Sequence, residues 1–137
     1  MGTCNAVGAD PCSVAVRLPG EPASVPRARR LVGDLLGRGH LDPADRSGVL
    51  LSVSEAFTNA VVHGYPHGGG DIDLSARIEH SLLRVSIRDY GVGAGAPSSH
   101  RGPGYGMLLI KAHAVDLAVR ECDPGTEVTM TFDLAVR

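Results

Sequence analysis

Hydrophobic and polar residues alternate along five segments of this 137-residue chain, and that period of two predicts five β-strands. The short turns at Glu79–Ser81 and Asp123–Gly125 join neighbouring segments, so the sheet is expected to be mostly antiparallel. Each strand carries its apolar residues on one side: Val14, Val16 and Leu18 in Cys12–Leu18; Ile72, Leu74, Ala76 and Ile78 in the second; Leu83, Val85 and Ile87 in the third; those of Leu117–Cys122 in the fourth; and Val128, Met130, Phe132 and Leu134 in the fifth.

Apolar residues at helical spacing predict three helices between these strands. The first follows the N-cap Ser24 and closes at Gly37 and Gly39. The second begins at Asp42-Pro43 and runs to about His63, and the third spans about 105–115. Their apolar residues are Ala28, Leu31, Val32, Leu35 and Leu36 in the first; Val49, Leu50, Val53, Ala56, Phe57, Ala60 and Val61 in the second; and Met107, Leu108, Ile110 and Ala114 in the third.

The order of these elements, β-α-α-β-β-loop-α-β-β, predicts an α+β fold. Each strand has one apolar and one polar face. We therefore expect three helices to cover a single face of the mostly antiparallel sheet, as a two-layer α/β sandwich. Residues 1–11 show no periodicity and are expected to form a disordered tail ahead of one domain at 12–137.

Composition narrows the class of protein. Hydrophobic residues make up 43% and charged residues 20%, as in a globular chain, and a net charge of −2 argues against a basic nucleic-acid-binding surface. No apolar run approaches the roughly 18–20 residues that span a bilayer, and no secretory signal pattern is visible at the N-terminus. Three cysteines are too few for a disulfide framework or a four-ligand zinc site. The sequence therefore predicts a soluble, cytoplasmic domain.

A polar stripe runs along the second helix at spacings of three and four residues: Ser52, Glu55, Asn59 and His63. One interpretation is an ordinary solvent-facing stripe. The other is chemical, because a carboxylate and a carboxamide one turn apart can orient a water and hold a hard cation through oxygen. His63 and His67 also have a spacing seen at zinc sites, but Pro66 breaks the helix between them and no third ligand is evident.

The third strand ends in an unusual residue for its face. Asp89 falls on the same parity as Val85 and Ile87, so it is expected to point toward the helix layer, where an ionised group is costly without a partner. The alternative is that the strand ends at Arg88 and Asp89 is a turn residue. Asp89 opens the segment Asp89-Tyr90-Gly91-Val92-Gly93, whose glycines allow a ligand to approach the backbone closely.

A glycine-rich segment, Gly102-Pro103-Gly104-Tyr105-Gly106, leads into the third helix. A helix N-terminus offers free N–H groups and the positive end of its dipole to phosphate, and Arg101 adds a cation. The segment is neither a Walker A motif nor a Rossmann fingerprint. A plain flexible loop remains the alternative.

Together these pieces form an ordered set that resembles the GHKL (histidine-kinase-like) ATPase superfamily over about residues 10–135. The segments SEAFTNAVVHGY and GMLLIKAHAVD look most like the anti-sigma-factor serine/threonine kinases. The resemblance implies a Bergerat-type ATP-binding fold. In chain order, the set is Glu55-x-x-x-Asn59-Ala60-x-x-His63, Asp89-x-Gly91-x-Gly93, Gly102-x-Gly104-x-Gly106 and Gly125-Thr126.

The resemblance also implies a role for each motif residue, with ATP and Mg²⁺ as cofactors. Asn59 would coordinate the magnesium that bridges the phosphates, and Glu55 would be the general base. Asp89 would accept a hydrogen bond from the adenine amino group. The other ATP-binding residues would be Gly91 and Gly93 around the purine; Gly102, Gly104 and Gly106 in the lid over the phosphates; His63 and Arg101 near phosphate; and Thr126 beside the adenine, through a water.

Three functions follow from this resemblance. The first is an anti-sigma-factor serine/threonine protein kinase that phosphorylates an anti-sigma-factor antagonist and sequesters a sigma factor, and the pair Glu55 and Asn59 favours it. The second is a non-catalytic nucleotide-binding regulatory protein, which the short eight-residue lid Ala94–Arg101 favours. The third is a fragment of a sensor histidine kinase, which is disfavoured because His40 lies in a glycine-flanked loop. The family implies a homodimer whose partners are proteins, neither nucleic acid nor membrane.

Overall fold

The computed structural model describes residues 12–37, 42–91 and 104–134. The order and type of the elements predicted from the hydrophobic pattern are confirmed. The tail at 1–11 lies outside the described residues, and so do Gly93, Arg101 and Gly102. In chain order the elements are β1 (Ser13–Pro19), α1 (Val25–Leu36), α2 (Pro43–Asn59), β2 (Asp71–Glu79), β3 (Leu82–Asp89), α3 (Gly104–His113), β4 (Asp116–Glu121) and β5 (Thr126–Asp133).

The strands of the described ranges form one sheet in the order β1-β2-β3-β5-β4. Every neighbouring pair is antiparallel, as expected. The hairpin between β2 and β3 turns at His80 and Ser81, which both have positive φ, as a tight two-residue hairpin requires. β3 is the central strand, and its last residue, Asp89, pairs with Ile72 of β2 and Thr126 of β5.

The hydrophobic core lies between one face of the sheet and the helices. Phe57 of α2, Ile110 of α3 and Phe132 of β5 are almost completely buried there, together with the inward-facing residues of β2 and β3. Removing this apolar surface from water is the main force that holds the two layers together. The predicted two-layer sandwich is therefore confirmed. Within the described ranges, no helix combines the length and apolar character needed to cross a membrane.

The two predicted N-caps have different outcomes. Asp42 caps α2 as expected, because its carboxylate accepts a hydrogen bond from the Ala44 N–H at 2.8 Å. Ser24 precedes α1 but makes no side-chain cap bond, so this prediction is wrong in its detail. Ser24 belongs to a short 3₁₀ turn, Pro22–Ser24, and already has helical dihedral angles (φ −80°, ψ −14°). A capping serine has an extended backbone instead.

Candidate functional site

The central strand places a carboxylate on the helix-covered face of the sheet. Asp89 shares the inward parity of Val85 and Ile87, and only 4% of its surface is exposed. β3 includes Asp89, so the alternative in which the strand ends at Arg88 is wrong. The Gly91 N–H donates a hydrogen bond to Asp89 Oδ1 at 3.0 Å and closes a turn directly after the strand.

Burial raises the pKa of the Asp89 carboxyl above its usual value, because the ionised form loses its hydration there. Hydrogen bonds from the backbone N–H groups of Gly91 and Thr126 act in the opposite direction. A carboxylate has roughly four acceptor sites. Asp89 therefore retains capacity to accept a hydrogen bond from a ligand, such as an amino group on a planar base.

Two glycines allow the backbone to close around this carboxylate. A Cβ added to Gly64 would lie 2.6 Å from Asp89 Cγ, and one added to Gly91 would lie 1.7 Å from the Gly64 carbonyl oxygen. No side chain fits at either position, so both contacts require glycine. Gly125 makes a third close contact, with the Asp89 carbonyl, in a left-handed conformation (φ 95°). The acid thus sits in a recess formed largely by backbone.

The polar stripe of α2 is not a solvent-facing stripe throughout. Ser52 is completely buried and donates a hydrogen bond to the Gly48 carbonyl at 2.8 Å, so its role is structural. Glu55, Asn59 and His63 are half-buried. The solvent-facing interpretation is therefore wrong for Ser52, because the helix packs this part of the stripe against the core.

Glu55 lies where α2 meets the start of α3. A Cβ added to Gly106 would be 2.3 Å from Glu55 Oε2, which puts the carboxylate against the first turn of α3. Gly104 is the first residue of that helix, so the end of the glycine-rich segment is helical rather than a plain flexible loop. The predicted stripe and the predicted glycine segment are thereby brought together.

The chain leaves α2 through one wider turn. The α-helix ends at Asn59, and Ala60–Gly64 forms a π-helical turn. Such turns are rare and occur often at functional sites. Here the turn brings Gly64 against Asp89, so one continuous segment connects Glu55 and Asn59 with the buried acid.

These contacts arrange the described residues as the two ends of one candidate cleft. Gly64, Asp89, Gly91 and Thr126 lie together at one end, and Glu55 and Gly106 meet at the other. Sequence reasoning missed the participation of Gly64 as a wall of the recess. Its position before Tyr65-Pro66 indicated only that the helix stops there.

The donor set along α2 is compatible with a divalent cation. Glu55 and Asn59 present oxygen atoms one helical turn apart, and Mg²⁺ prefers a few protein oxygens completed by phosphate and water. The described ranges contain no group of three or more His, Cys, Asp or Glu side chains that could hold a metal ion. A cation held by Glu55 and Asn59 would complete its coordination with oxygen atoms of water or of a bound ligand.

This sheet order belongs to a chain that matches an ATPase domain of the GHKL type. A family model described as the histidine kinase-like ATPase domain matches residues 18–132, and the chain belongs to that family. Curated relatives that match this chain include anti-sigma F factors.

The relatives differ in how much of the chain they match. The anti-sigma F factor of Geobacillus thermodenitrificans (strain NG80-2) is 36% identical over 110 residues, which cover 69% of this chain and 75% of that protein. The anti-sigma F factor of Bacillus licheniformis is 29% identical over the same length. That of Clostridium acetobutylicum is 42% identical over 55 residues, which span only 39% of this chain and 38% of that protein.

Solved structures share the fold. The crystal structure of the RsbU and RsbW domains of Rv1364c from Mycobacterium tuberculosis superposes with a TM-score of 0.73 at 21% identity, covering 94% of this chain and 34% of that one. The blue-light activated histidine kinase of Erythrobacter litoralis EL346 gives a TM-score of 0.58 at 23% identity, covering 85% and 42%. Both similarities confirm the predicted two-layer α/β fold.

Proposed function

We propose that this chain is an ATP-dependent serine/threonine protein kinase that phosphorylates an anti-sigma-factor antagonist and sequesters a sigma factor. The observation that carries the proposal is the contact between Glu55 and Gly106, which places a carboxylate beside the first turn of α3. The N-terminus of a helix attracts phosphate, so Glu55 is suited to take a proton from a hydroxyl that attacks there. Similarity to anti-sigma F factors supports the class of partner.

At the end of the cleft proposed to bind adenine, Asp89 would accept a hydrogen bond from the adenine amino group. The burial of Asp89 favours this hydrogen bond, because a buried acceptor gains more free energy from a new donor than an acceptor that water already satisfies. Thr126 pairs with Asp89 across β3 and β5 and would support the base through a water. Gly91 and Gly93 would leave room for the purine ring.

At the phosphate end, Asn59 would hold Mg²⁺, which when bound neutralises charge on the phosphates. Glu55 would accept the proton of the incoming Ser or Thr hydroxyl. That oxygen would bond to the γ-phosphorus while the bond to the ADP leaving group breaks. The remaining proposed contacts to phosphate come from His63, Arg101, Gly102, Gly104 and Gly106.

A second candidate is a regulatory protein that binds nucleotide without transferring phosphate and acts through protein-protein contacts. The segment Ala94–Arg101 favours it, because a lid of only eight residues offers less chain to enclose the phosphates than a longer one would. In both candidates the protein would work as a homodimer in the cytoplasm, where sigma factors act. Light scattering of the purified protein tests the dimer directly.

Phosphoryl transfer separates the two candidates. The protein is incubated with Mg-ATP and a candidate antagonist protein, and the mass of the candidate is followed. Wild type should add one phosphoryl group. Glu55→Gln should bind both ligands normally but transfer on the order of 10²–10⁴ more slowly. Glu121→Gln, which changes an exposed carboxylate on β4, is the matched control and should transfer at the wild-type rate.

Each other outcome has a distinct meaning. If wild type transfers nothing while binding of a sigma factor persists in Glu55→Gln, the non-catalytic candidate is correct. Transfer at full rate by Glu55→Gln would assign the base to another group. An acid-labile phosphate on a histidine of the protein itself would instead indicate a histidine kinase.

A further inference from the structure

The hydroxyl group of Tyr65 joins two separate backbone segments beside the buried acid. It donates a hydrogen bond to the Asp71 carbonyl at 2.6 Å and accepts one from the Tyr90 N–H at 2.7 Å. A tyrosine hydroxyl has a single proton to donate. The Asp71 carbonyl accepts that proton, and the Tyr90 N–H donates to a lone pair of the same oxygen. The first residue of β2 and the residue that follows β3 are thereby held at one point.

The Tyr90 N–H belongs to the turn that orients Asp89. The next backbone N–H, that of Gly91, donates to Asp89 Oδ1 at 3.0 Å, so the direction of the carboxylate depends on where this short stretch of backbone lies. Tyr65 holds the peptide between Asp89 and Tyr90. Its hydroxyl therefore acts on the carboxylate through the backbone of the same turn.

Packing holds the Tyr65 ring in place. A Cβ added to Gly70 would lie 1.9 Å from Tyr65 Cε1, and one added to Gly20 would lie 2.6 Å from Cδ2. The two glycines are themselves joined by a hydrogen bond from the Gly20 N–H to the Gly70 carbonyl at 2.8 Å. The position of the hydroxyl is therefore set by close contact around the ring as well as by its hydrogen bonds.

The side chain of Tyr90 is anchored independently of its backbone. Its hydroxyl donates to the Asp73 carboxylate, on the face of the sheet away from the helices. Its ring lies 4.3 Å from the guanidinium carbon of Arg88 and 5.4 Å from that of Arg17. The turn after β3 is thus held by its side chain from the outer face and by Tyr65 through its backbone.

We propose that the Tyr65 hydroxyl is a positioning group for Asp89 and sets how strongly and how selectively the cleft binds an aminopurine nucleotide. The inference rests on the proposed role of Asp89 in adenine binding. Tyr65 directly follows Gly64, which contacts the same carboxyl group, so both neighbours contribute to one arrangement. Without the hydroxyl, the turn loses the partner of its N–H and the carboxylate is free to shift.

The test compares ATP with purine riboside triphosphate, which lacks the 6-amino group. Tyr65→Phe keeps the ring and removes both hydrogen bonds. Calorimetry should show ATP binding weakened about tenfold, and analogue binding weakened less than about twofold. Ser86→Ala is the matched control, because it removes a hydroxyl from β3, the strand that carries Asp89. The Ser86 hydroxyl lies on the outer face, 3.1 Å from Thr129 Oγ1. It should leave both affinities unchanged. An equal loss for both ligands in Tyr65→Phe would overturn the proposal.

A second measurement needs no nucleotide. In the free protein, the Tyr90 amide should be protected from hydrogen exchange in wild type and in Ser86→Ala, and should lose that protection in Tyr65→Phe. Retained protection would overturn the proposal.

If Tyr65→Phe does not fold, Gly70→Ala displaces the ring while keeping the hydroxyl and should produce the same ATP-selective loss. A wild type that binds ATP and the analogue equally would refute the adenine role of Asp89, while the exchange result still reports separately on Tyr65.

Discussion

Gly64 packs directly against the carboxyl group of Asp89. A Cβ at position 64 would lie 2.6 Å from Asp89 Cγ and 2.7 Å from Oδ1, well inside van der Waals contact. This contact joins the turn that ends α2 to the end of the central strand. It connects the helix that carries Glu55 and Asn59 with an acid on a different element.

Gly64→Ala should therefore weaken nucleotide binding at the end of the cleft that is proposed to hold adenine. The added methyl group overlaps the Asp89 carboxylate, which must move, and overpacking of this kind typically costs about 1–3 kcal/mol in stability. ATP affinity should fall by more than about tenfold, measured by calorimetry. Gly37→Ala, at the end of α1, is the control, because its Cβ would approach no atom closer than 3.3 Å and its φ is −65°. Normal ATP binding in Gly64→Ala would contradict the close contact.

Asp89→Asn should abolish the preference for adenine. One acceptor oxygen becomes a donor that faces the adenine amino group, and an unpaired buried polar group costs about 1–3 kcal/mol. Wild type should bind ATP and ADP but not GTP, and the variant should lose roughly 5- to 150-fold in ATP affinity. Asp116→Asn changes an exposed acid on β4 and should bind as wild type does. Unchanged calorimetric affinity in Asp89→Asn would rule out this role.

The free energy of unfolding of the nucleotide-free protein should depend on pH through the titration of Asp89. Its pKa is raised by burial, so the folded protein keeps this proton to a higher pH than the unfolded chain does. Between the ordinary value of 3.8 and the raised value, the folded state binds more protons, and the free energy of unfolding falls as pH rises. Asp89→Asn does not titrate, so the variant should gain stability relative to wild type across that window. Urea unfolding at several pH values measures the difference, and a difference independent of pH would contradict the buried acid.

Asn59→Ala should weaken the binding of Mg-ATP with little effect on folding. The variant loses the amide oxygen proposed for Mg²⁺ but keeps the helix, since alanine is the better helix former. Affinity for Mg-ATP should fall about tenfold. Chelation of magnesium should lower the ATP affinity of the wild type to about that of the variant. Thr58→Ala, at the exposed neighbouring position, is the control. If Asn59→Ala binds Mg-ATP as wild type does, the half-buried part of the stripe has no role in the metal site.

Local periodicity was enough to predict the inward direction of Asp89. In a strand, alternate residues face the same side, so the buried positions Val85 and Ile87 imply the burial of the acid two residues later. The same reasoning predicted the hairpin of β2 and β3 and the apolar face of α2, because these patterns are repeated over short stretches of chain.

The outcome at Ser24 marks the limit of that reasoning. Residue type and position both favoured a cap, yet the turn Pro22–Ser24 gives the serine a helical backbone. The dihedral angles there depend on how the chain enters the helix from β1, which residue type alone does not specify. At Asp42, where the entry is extended (φ −58°, ψ 135°), the same rule succeeded.

The walls of the cleft depend on contacts between residues that are distant in the chain. Gly64 and Gly91 touch only because the turn after α2 lies over the end of β3, and the Tyr65 hydroxyl bonds to Tyr90 for the same reason. In the sequence, Gly64 and Tyr65 look like the ordinary end of a helix. Hydrophobic patterning specifies which face each element buries, whereas the close approach of two backbones depends on how the layers pack. The chain alone therefore indicated the acid and the helix stripe, and the packing of the two layers brought them into one candidate site.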